Sequence, residues 1–352
     1  MLQLRARDYN FTVGQLPPGP RNKITDVPGL TVGHYTVDNA ENKTGVTVLL
    51  PGPENPFTHK LPAAAFVLNG FGKSLGMVQV EELGTLETPI ALTNTLNVGL
   101  VHDALVEYMI GRCELEGVDL RSVNPLVLEC NDGGINHIQK RAVGKEEVFA
   151  AFAAASPAFD EGDVGAGKGM VCHGLKGGIG SASRRMEFEG QSYTMGALVL
   201  ANHGSMPDLT ICGNHIGPTL DQAKAAKESD VGSCIVILAT DLPLDSRQLG
   251  RVAKRASVGL ARLGSYIGHG SGEVFLAFST ANPFPIQEET AFRAVTAFHE
   301  EKMDLPFRAA AECVEEAILN CLFTARTVTG WDGKTVWALR DLWHPQGEAP
   351  QP

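Results

Sequence analysis

The chain has little positive charge. In 352 residues, 29 Lys and Arg stand against 40 Asp and Glu, a formal net charge of −11. Nucleic acid is bound through clustered basic side chains that displace counterions, so this balance excludes a nucleic-acid binder and equally an anionic membrane surface as partner. The chain has no uncharged apolar run near the ~20 residues needed to span a bilayer. Its opening, MLQLRARDYN, is charged where a secretory signal needs an apolar segment. Cysteine is sparse: seven residues, odd in number, scattered, and without a single CxxC pair. That pattern predicts reduced, buried thiols in the cytoplasm and speaks against a zinc ribbon or finger. No internal repeat, long linker or low-complexity tract is present, so residues 1–352 read as one domain.

Glycine, by contrast, is frequent, with 39 residues clustered between short apolar runs. Runs at 45–50, 64–68, 126–128, 195–201, 209–212, 234–239 and 274–278 are rich in Val, Ile and Leu and bounded by turn residues, so they predict strands. Helical periodicity is clearest over 247–263, where Leu249, Val252, Ala256, Leu260 and Leu263 form one apolar stripe. A second helix is predicted over 306–324, and weaker ones over 99–113, 145–154, 219–228 and 287–299. Strands and helices alternate without a strict parallel-crossover rhythm, which predicts an α/β protein of helices layered on mixed sheets.

Several short motifs resemble known sites and fail. Gly72–Lys73–Ser74 ends like a phosphate-binding loop, but the glycine required five residues before Gly72 is Val67. Gly165–Ala166–Gly167–Lys168–Gly169 lacks the hydroxyl that would hold magnesium. His173, His203, His215 and His269 each follow a strand-like run, yet no spacing among them marks a metal site. Ser271, in Gly270–Ser271–Gly272–Glu273, fails as a nucleophile elbow, which needs glycine two before and two after the serine where this chain has His269 and Glu273. Ser271 and Glu273 lie two apart, however, and on an extended chain they share a face, a hydroxyl beside a carboxylate. A tight glycine turn with a surface Glu accounts for the same four residues. Ser233 stands between a charged segment and the apolar run 234–239, and alone reads as the first residue of a buried strand.

Longer segments carry more information. They include Ile24–Thr25–Asp26–Val27–Pro28–Gly29–Leu30, Thr93–Asn94–Thr95, Asn131–Asp132–Gly133, Gly169–Met170–Val171–Cys172–His173, Lys176–Gly177–Gly178–Ile179–Gly180, Ala201–Asn202–His203–Gly204, Gly232–Ser233, Ala239–Thr240–Asp241, and Gly270–Ser271–Gly272–Glu273. In this order, over residues 22–337, they resemble the family of L-aminopeptidase/D-esterases and β-peptidyl aminopeptidases, the DmpA family. The resemblance implies a four-layer α/β/β/α sandwich. It implies a precursor that cuts its own backbone between Gly232 and Ser233, giving chains 1–232 and 233–352, with Ser233 as nucleophile. It places supporting roles on Ser271 and Glu273, and oxyanion stabilisation on Asn202.

Such an enzyme needs no cofactor and no metal. Its substrates are short peptides, amino-acid amides or esters with a free amine, D- or β-residues included. It assembles as a homo-oligomer of cleaved pairs. Glu129 and Asp132, after the 126–128 strand, are candidate anchors for the substrate ammonium, from sequence position alone. Gly134 stands where the family usually carries an aromatic residue, which leaves open a wider pocket or a member that only binds small amines.

Overall fold

The computed structural model describes residues 3–220, 230, 232–286 and 291–343. Its longer strands are β1 (Thr31–Asp38), β2 (Lys43–Leu50), β3 (His59–Gly70), β4 (Ile90–Asn94), β5 (Leu126–Cys130), β6 (Gly178–Phe188), β7 (Gln191–Asn202), β8 (Gly232–Thr240) and β9 (Ser271–Ser279). The main helices are α1 (Val98–Leu115), α2 (Lys145–Ala153), α3 (Ser246–Ala253), α4 (Ala256–Arg262) and α5 (Asp304–Thr324). β1, β2, β4 and β5 form a four-stranded sheet in that order, with α1 as the crossover between parallel β4 and β5. The seven-stranded sheet runs β3-β9-β8-β7-β6, with the short pieces Thr85–Leu86 and Phe284–Pro285 paired to β3.

Alternation along β8 shows how the layers stack. Ile235, Ile237 and Ala239 face the four-stranded sheet and pack with Leu92, Leu126 and Leu128. Cys234, Val236 and Leu238 face the other way, onto Leu249, Val252, Val314 and Ile318 of α3 and α5. Both faces of β8 are therefore apolar, which is why its sequence is a continuous hydrophobic run. A third core joins Val46, Val48, Ala91 and Val127 of the smaller sheet to Val101, Leu105 and Val148 of α1 and α2. The order is helices, sheet, sheet, helices, the four-layer sandwich the resemblance implied.

Some local expectations need correcting. The helix predicted over 247–263 is broken into α3 and α4, although its stripe Leu249, Val252, Ala256, Leu260 and Leu263 stays in one core. The break lets α4 lie on α5, where a Cβ on Gly259 would meet Val314 at 2.7 Å. Of the strand predicted at 209–212, only Thr210–Ile211 pairs, with Asn214–His215. Residues 291–299 form no helix, and nearly all of the helix predicted over 219–228 lies outside the described residues. β1, β4 and β6 went unpredicted. In β6 the reason is glycine and serine content: Gly180 presses against α5 so closely that a Cβ would lie 1.9 Å from Ala317 O.

A buried charge cluster ties β6 to α5. Arg184 is fully buried and donates to Glu312 at 3.1 Å and Glu316 at 2.5 Å, and Glu316 also accepts from Arg7 at 2.6 Å. Burial acts to raise the Glu316 pKa, but Arg7 and Arg184 outweigh it and hold it below the usual carboxylate value. Its stabilisation is thus present above the ordinary carboxylate pKa and lost as pH falls through the folded one. Arg184→Ala would leave two buried carboxylates short of their partner, and the expected loss is about 3–5 kcal/mol in urea unfolding at neutral pH.

Candidate active site

Three adjacent strands of the larger sheet come level at one end. Antiparallel pairing of β7 with β8 sets Asn202 opposite Ser233. Parallel pairing of β8 with β9 sets Ser271 opposite Gly232, Gly272 opposite Ser233 and Glu273 opposite Cys234. Paired strands lie about 4.8 Å apart, so the backbones of Ser233, Ser271, Glu273 and Asn202, distant in sequence, come level at one strand end, Ser271 and Glu273 with the parity of Phe275 and Ala277. Ser233 shares the parity of Ile235 and Ile237, and Asn202 that of Leu198 and Leu200; both therefore face the smaller sheet. From that sheet Cys130, at the end of β5, faces back. The Ser233 hydroxyl beside it works against the burial that pushes the Cys130 thiol well above its usual pKa.

The four groups differ in how they are held. The Ser233 hydroxyl is buried and has no hydrogen-bond partner among the described residues. Ser271 and Glu273 are fully buried, and the Ser271 hydroxyl donates to Glu273 Oε1. Glu273 Oε2 has no partner among the described residues. The register of β9 against β3 shifts between Glu273 and Val274, leaving Leu68 of β3 as the extra residue of a bulge. Burial pushes the Glu273 pKa up to about 7, with the Ser271 hydrogen bond opposing and the nearby Asp230 charge adding to it. The carboxyl is therefore poised between acid and base near neutral pH. Asn202 Oδ1 accepts from Val171 N at 2.8 Å and its Nδ2 donates to Asn131 O at 3.1 Å. The amide is thus fixed in place with one N–H left for an oxyanion.

Gly232 has φ +133°, and a Cβ there would lie 1.9 Å from Asn202 O. Only glycine fits the position. Glu129, predicted as an ammonium anchor, is buried. It accepts from Lys73 N at 2.9 Å and from the Thr95 hydroxyl. Asp132 is enclosed elsewhere: it accepts from Asn136 Nδ2 at 2.9 Å, and burial pushes its pKa up to about 6 against hydrogen bonds from Thr44, Asn136 and Asn94. The partners of Asp132, like those of Glu129, lie outside the Ser233 cluster. Gly134 is exposed, with nothing within 4 Å of where a Cβ would stand. Cys172, His173 and His203 gather with ligand atoms within 4.8 Å of one another, all buried. Cys172 Sγ lies 4.0 Å from His203 Nδ1, His173 Nδ1 is bonded to Ser205 O at 2.9 Å, and the Nε2 of each ring has no hydrogen-bond partner among the described residues. His215 and His269 lie outside that cluster.

Three contributors went unread in the sequence. Cys130 stood only among the scattered, reduced thiols. Asn69, inside the phosphate-loop lookalike, donates to Gly268 O at 2.9 Å and Ser271 O at 2.5 Å and so braces the start of β9. Asp230 looked like the end of a charged helix. Only pairing across the fold brings them to the site.

A sandwich with a serine at the head of a central strand, a glycine before it, and a hydroxyl–carboxylate pair on the next strand defines an N-terminal-nucleophile hydrolase. The chain belongs to peptidase family S58, whose description matches residues 22–336. It is 36% identical to the beta-peptidyl aminopeptidase BapA of Sphingosinicella xenopeptidilytica, over 95% of this chain and 88% of that one. Among solved structures it is similar to the PH0078 protein of Pyrococcus horikoshii OT3, with 47% identity, TM-score 0.90 and 96% of each chain covered. It is also similar to the L-aminopeptidase D-Ala-esterase/amidase of Ochrobactrum anthropi, a serine aminopeptidase with a variant of the N-terminal-nucleophile hydrolase fold. That likeness has 37% identity, TM-score 0.88 and 95% of each chain covered. The protein is a peptidase of the aminopeptidase and amidase class. No described helix is long and apolar enough to cross a membrane.

Two outcomes are expected. Activity rises with pH through about 7 as Glu273 loses its proton, and Glu273→Gln removes that limb and lowers the rate by about 10²–10⁴-fold, read from the pH profile of kcat/KM. Gly232→Ala forces a side chain into a left-handed backbone against Asn202 O, a strain of about 1–3 kcal/mol before the clash. A lower unfolding temperature in that variant, read by circular dichroism, is the check.

Proposed function

We propose that the chain cuts itself between Gly232 and Ser233 and then works as a serine aminopeptidase through the freed Ser233. The observation that carries this reading is the unpartnered, buried Ser233 hydroxyl, level with Ser271–Glu273 on one side and Asn202 on the other. In the uncut chain the Ser233 hydroxyl attacks the Gly232 carbonyl. Its proton passes toward the Ser271–Glu273 pair, and the developing oxyanion takes the free N–H of Asn202. The C–N bond then breaks, the Ser233 nitrogen takes up a proton, and an ester joins Gly232 to the Ser233 oxygen. Water hydrolyses that ester, leaving a carboxylate on Gly232 and a free amine on Ser233.

The same atoms then serve substrate. The hydroxyl attacks the carbonyl after the substrate's first residue, and its proton leaves either to the new α-amine, with a reference pKa of roughly 7.7–8.0, or to the Ser271–Glu273 pair. The leaving amine or alcohol takes a proton, and water clears the acyl-enzyme. Glu129 anchors the substrate ammonium as a buried carboxylate. Open space at Gly134 suits first residues with an extra backbone carbon or unusual stereochemistry, in keeping with the β-peptides and D-alanyl esters named for the relatives. Seven free thiols fit a cytoplasmic location. Exposed Val67, Leu68, Phe71, Leu75 and Val78 supply apolar surface for a homo-oligomer of cleaved pairs.

Intact mass under denaturing conditions tests the reading. Chains 1–232 and 233–352 are expected from the wild type and one uncut chain from Ser233→Ala. A wild-type chain that stays whole on prolonged incubation at neutral pH would overturn it. For the anchor, Glu129→Gln should raise KM for free-amine substrates and erase the preference over N-acetylated ones. A preference left intact removes Glu129 from that role.

A further inference from the structure

We infer that Asp230 is a positioning residue for self-cleavage, clamping the chain two residues ahead of the Gly232–Ser233 bond so that the Gly232 carbonyl is held at the Ser233 hydroxyl. The inference rests on the reading of Ser233 as the self-cutting nucleophile.

Asp230 is buried, and its carboxylate has no ion-pair partner among the described residues. Its charge is met by four hydrogen bonds instead. Oδ1 accepts from Gly204 N at 2.8 Å. Oδ2 accepts from Ser265 Oγ at 2.6 Å and from the backbone N–H groups of Tyr266 and Ile267, each at 3.0 Å. The Asp230 N–H donates to the Tyr266 hydroxyl at 2.8 Å. A buried charge is tolerated only where such donors surround it.

The donors come from two loops, and both lead to the site. Gly204 follows Asn202 out of β7. Residues 265–268 lead into β9, where Gly268 O accepts from Ser271 N at 3.0 Å. Gly268 lies so flat against Asp230 that a Cβ would stand 2.0 Å from Asp230 O. One carboxylate thus joins the oxyanion strand, the scissile segment and the Ser271 strand. Only Val231 separates this clamp from Gly232, which is itself seated against Asn202 O. The chain before the scissile peptide is thus held at Asp230 and again at Gly232, a restraint that orients the Gly232 carbonyl for the internal attack.

The test follows cutting of the full chain made by cell-free translation, by intact mass over time, beside circular dichroism and thermal unfolding of the products. Asp230→Ala should cut about 10²-fold more slowly, the loss that small misplacement of reacting groups brings. Asp230→Asn, which keeps one accepting oxygen, should fall between. Its pH midpoint for cutting should move below the wild-type midpoint, because the charge that raises Glu273 is gone. A residue with a merely structural role would not move that midpoint. Tyr266→Phe removes one hydroxyl from a ring that is 57% exposed. It should slow cutting several-fold at an unchanged unfolding temperature, and it decides the matter if Asp230→Ala fails to fold. Wild-type rates and midpoints in all folded variants would overturn the clamp alone. A folded wild-type chain that never cuts would overturn the Ser233 reading and the clamp with it.

Discussion

The site depends on one register: β8 pairs in parallel with β9 and antiparallel with β7, starting at Gly232 and Ser233. Side chains alternate along a strand, so a slip of one residue would turn Ser233 away from Asn202 and into the helix-facing core. The apolar faces of β8 prevent the slip. Ile235 and Ile237 on one side and Val236 and Leu238 on the other are matched to two different cores. The chemistry at the strand head is held in place by hydrophobic packing further along the same strand.

Burial then sets the electrostatics. Glu273 lies where solvent does not reach, and loss of hydration pushes its pKa to about 7. The partnerless hydroxyl of Ser233 and the half-satisfied carboxyl of Glu273 are costly in a closed core. They are tolerated because the surrounding polar groups are heavily bonded: Asn202 by Val171 and Asn131, Asp230 by four donors, Glu129 by Lys73 and Thr95. Ser233 Oγ and Glu273 Oε2 are left unpaired while their neighbours are immobilised, which is the preorganisation the proposed attack requires.

Glycine serves the same end at a few positions. Gly232 adopts a backbone angle closed to other residues, and Gly268 lets a loop lie against Asp230. Each brings main chain nearer to a reacting or positioning group than a Cβ would allow.

The sequence by itself determined much of this. Apolar runs marked β2, β3, β5, β7, β8 and β9 because those strands are buried and rich in Val, Ile and Leu. The apolar row of α5 was legible for the same reason, and α1 more weakly. The ordered motifs around Gly232–Ser233 and Ser271–Glu273 pointed to the family. β1, β4 and β6 were not legible: glycine, serine and threonine interrupt the apolar pattern of β1 and β6, and the apolar part of β4 is only three residues long. Nor were Asp230, Asn69 and Cys130, whose neighbours lie far along the chain. Local pattern can say that a residue is apolar, charged or free of a Cβ. Which hydroxyl stands unpaired, which carboxyl loses its water and which residues share a strand end were decided only by the tertiary structure. Those properties belong to pairs of groups, and pairing is made by long-range register and packing.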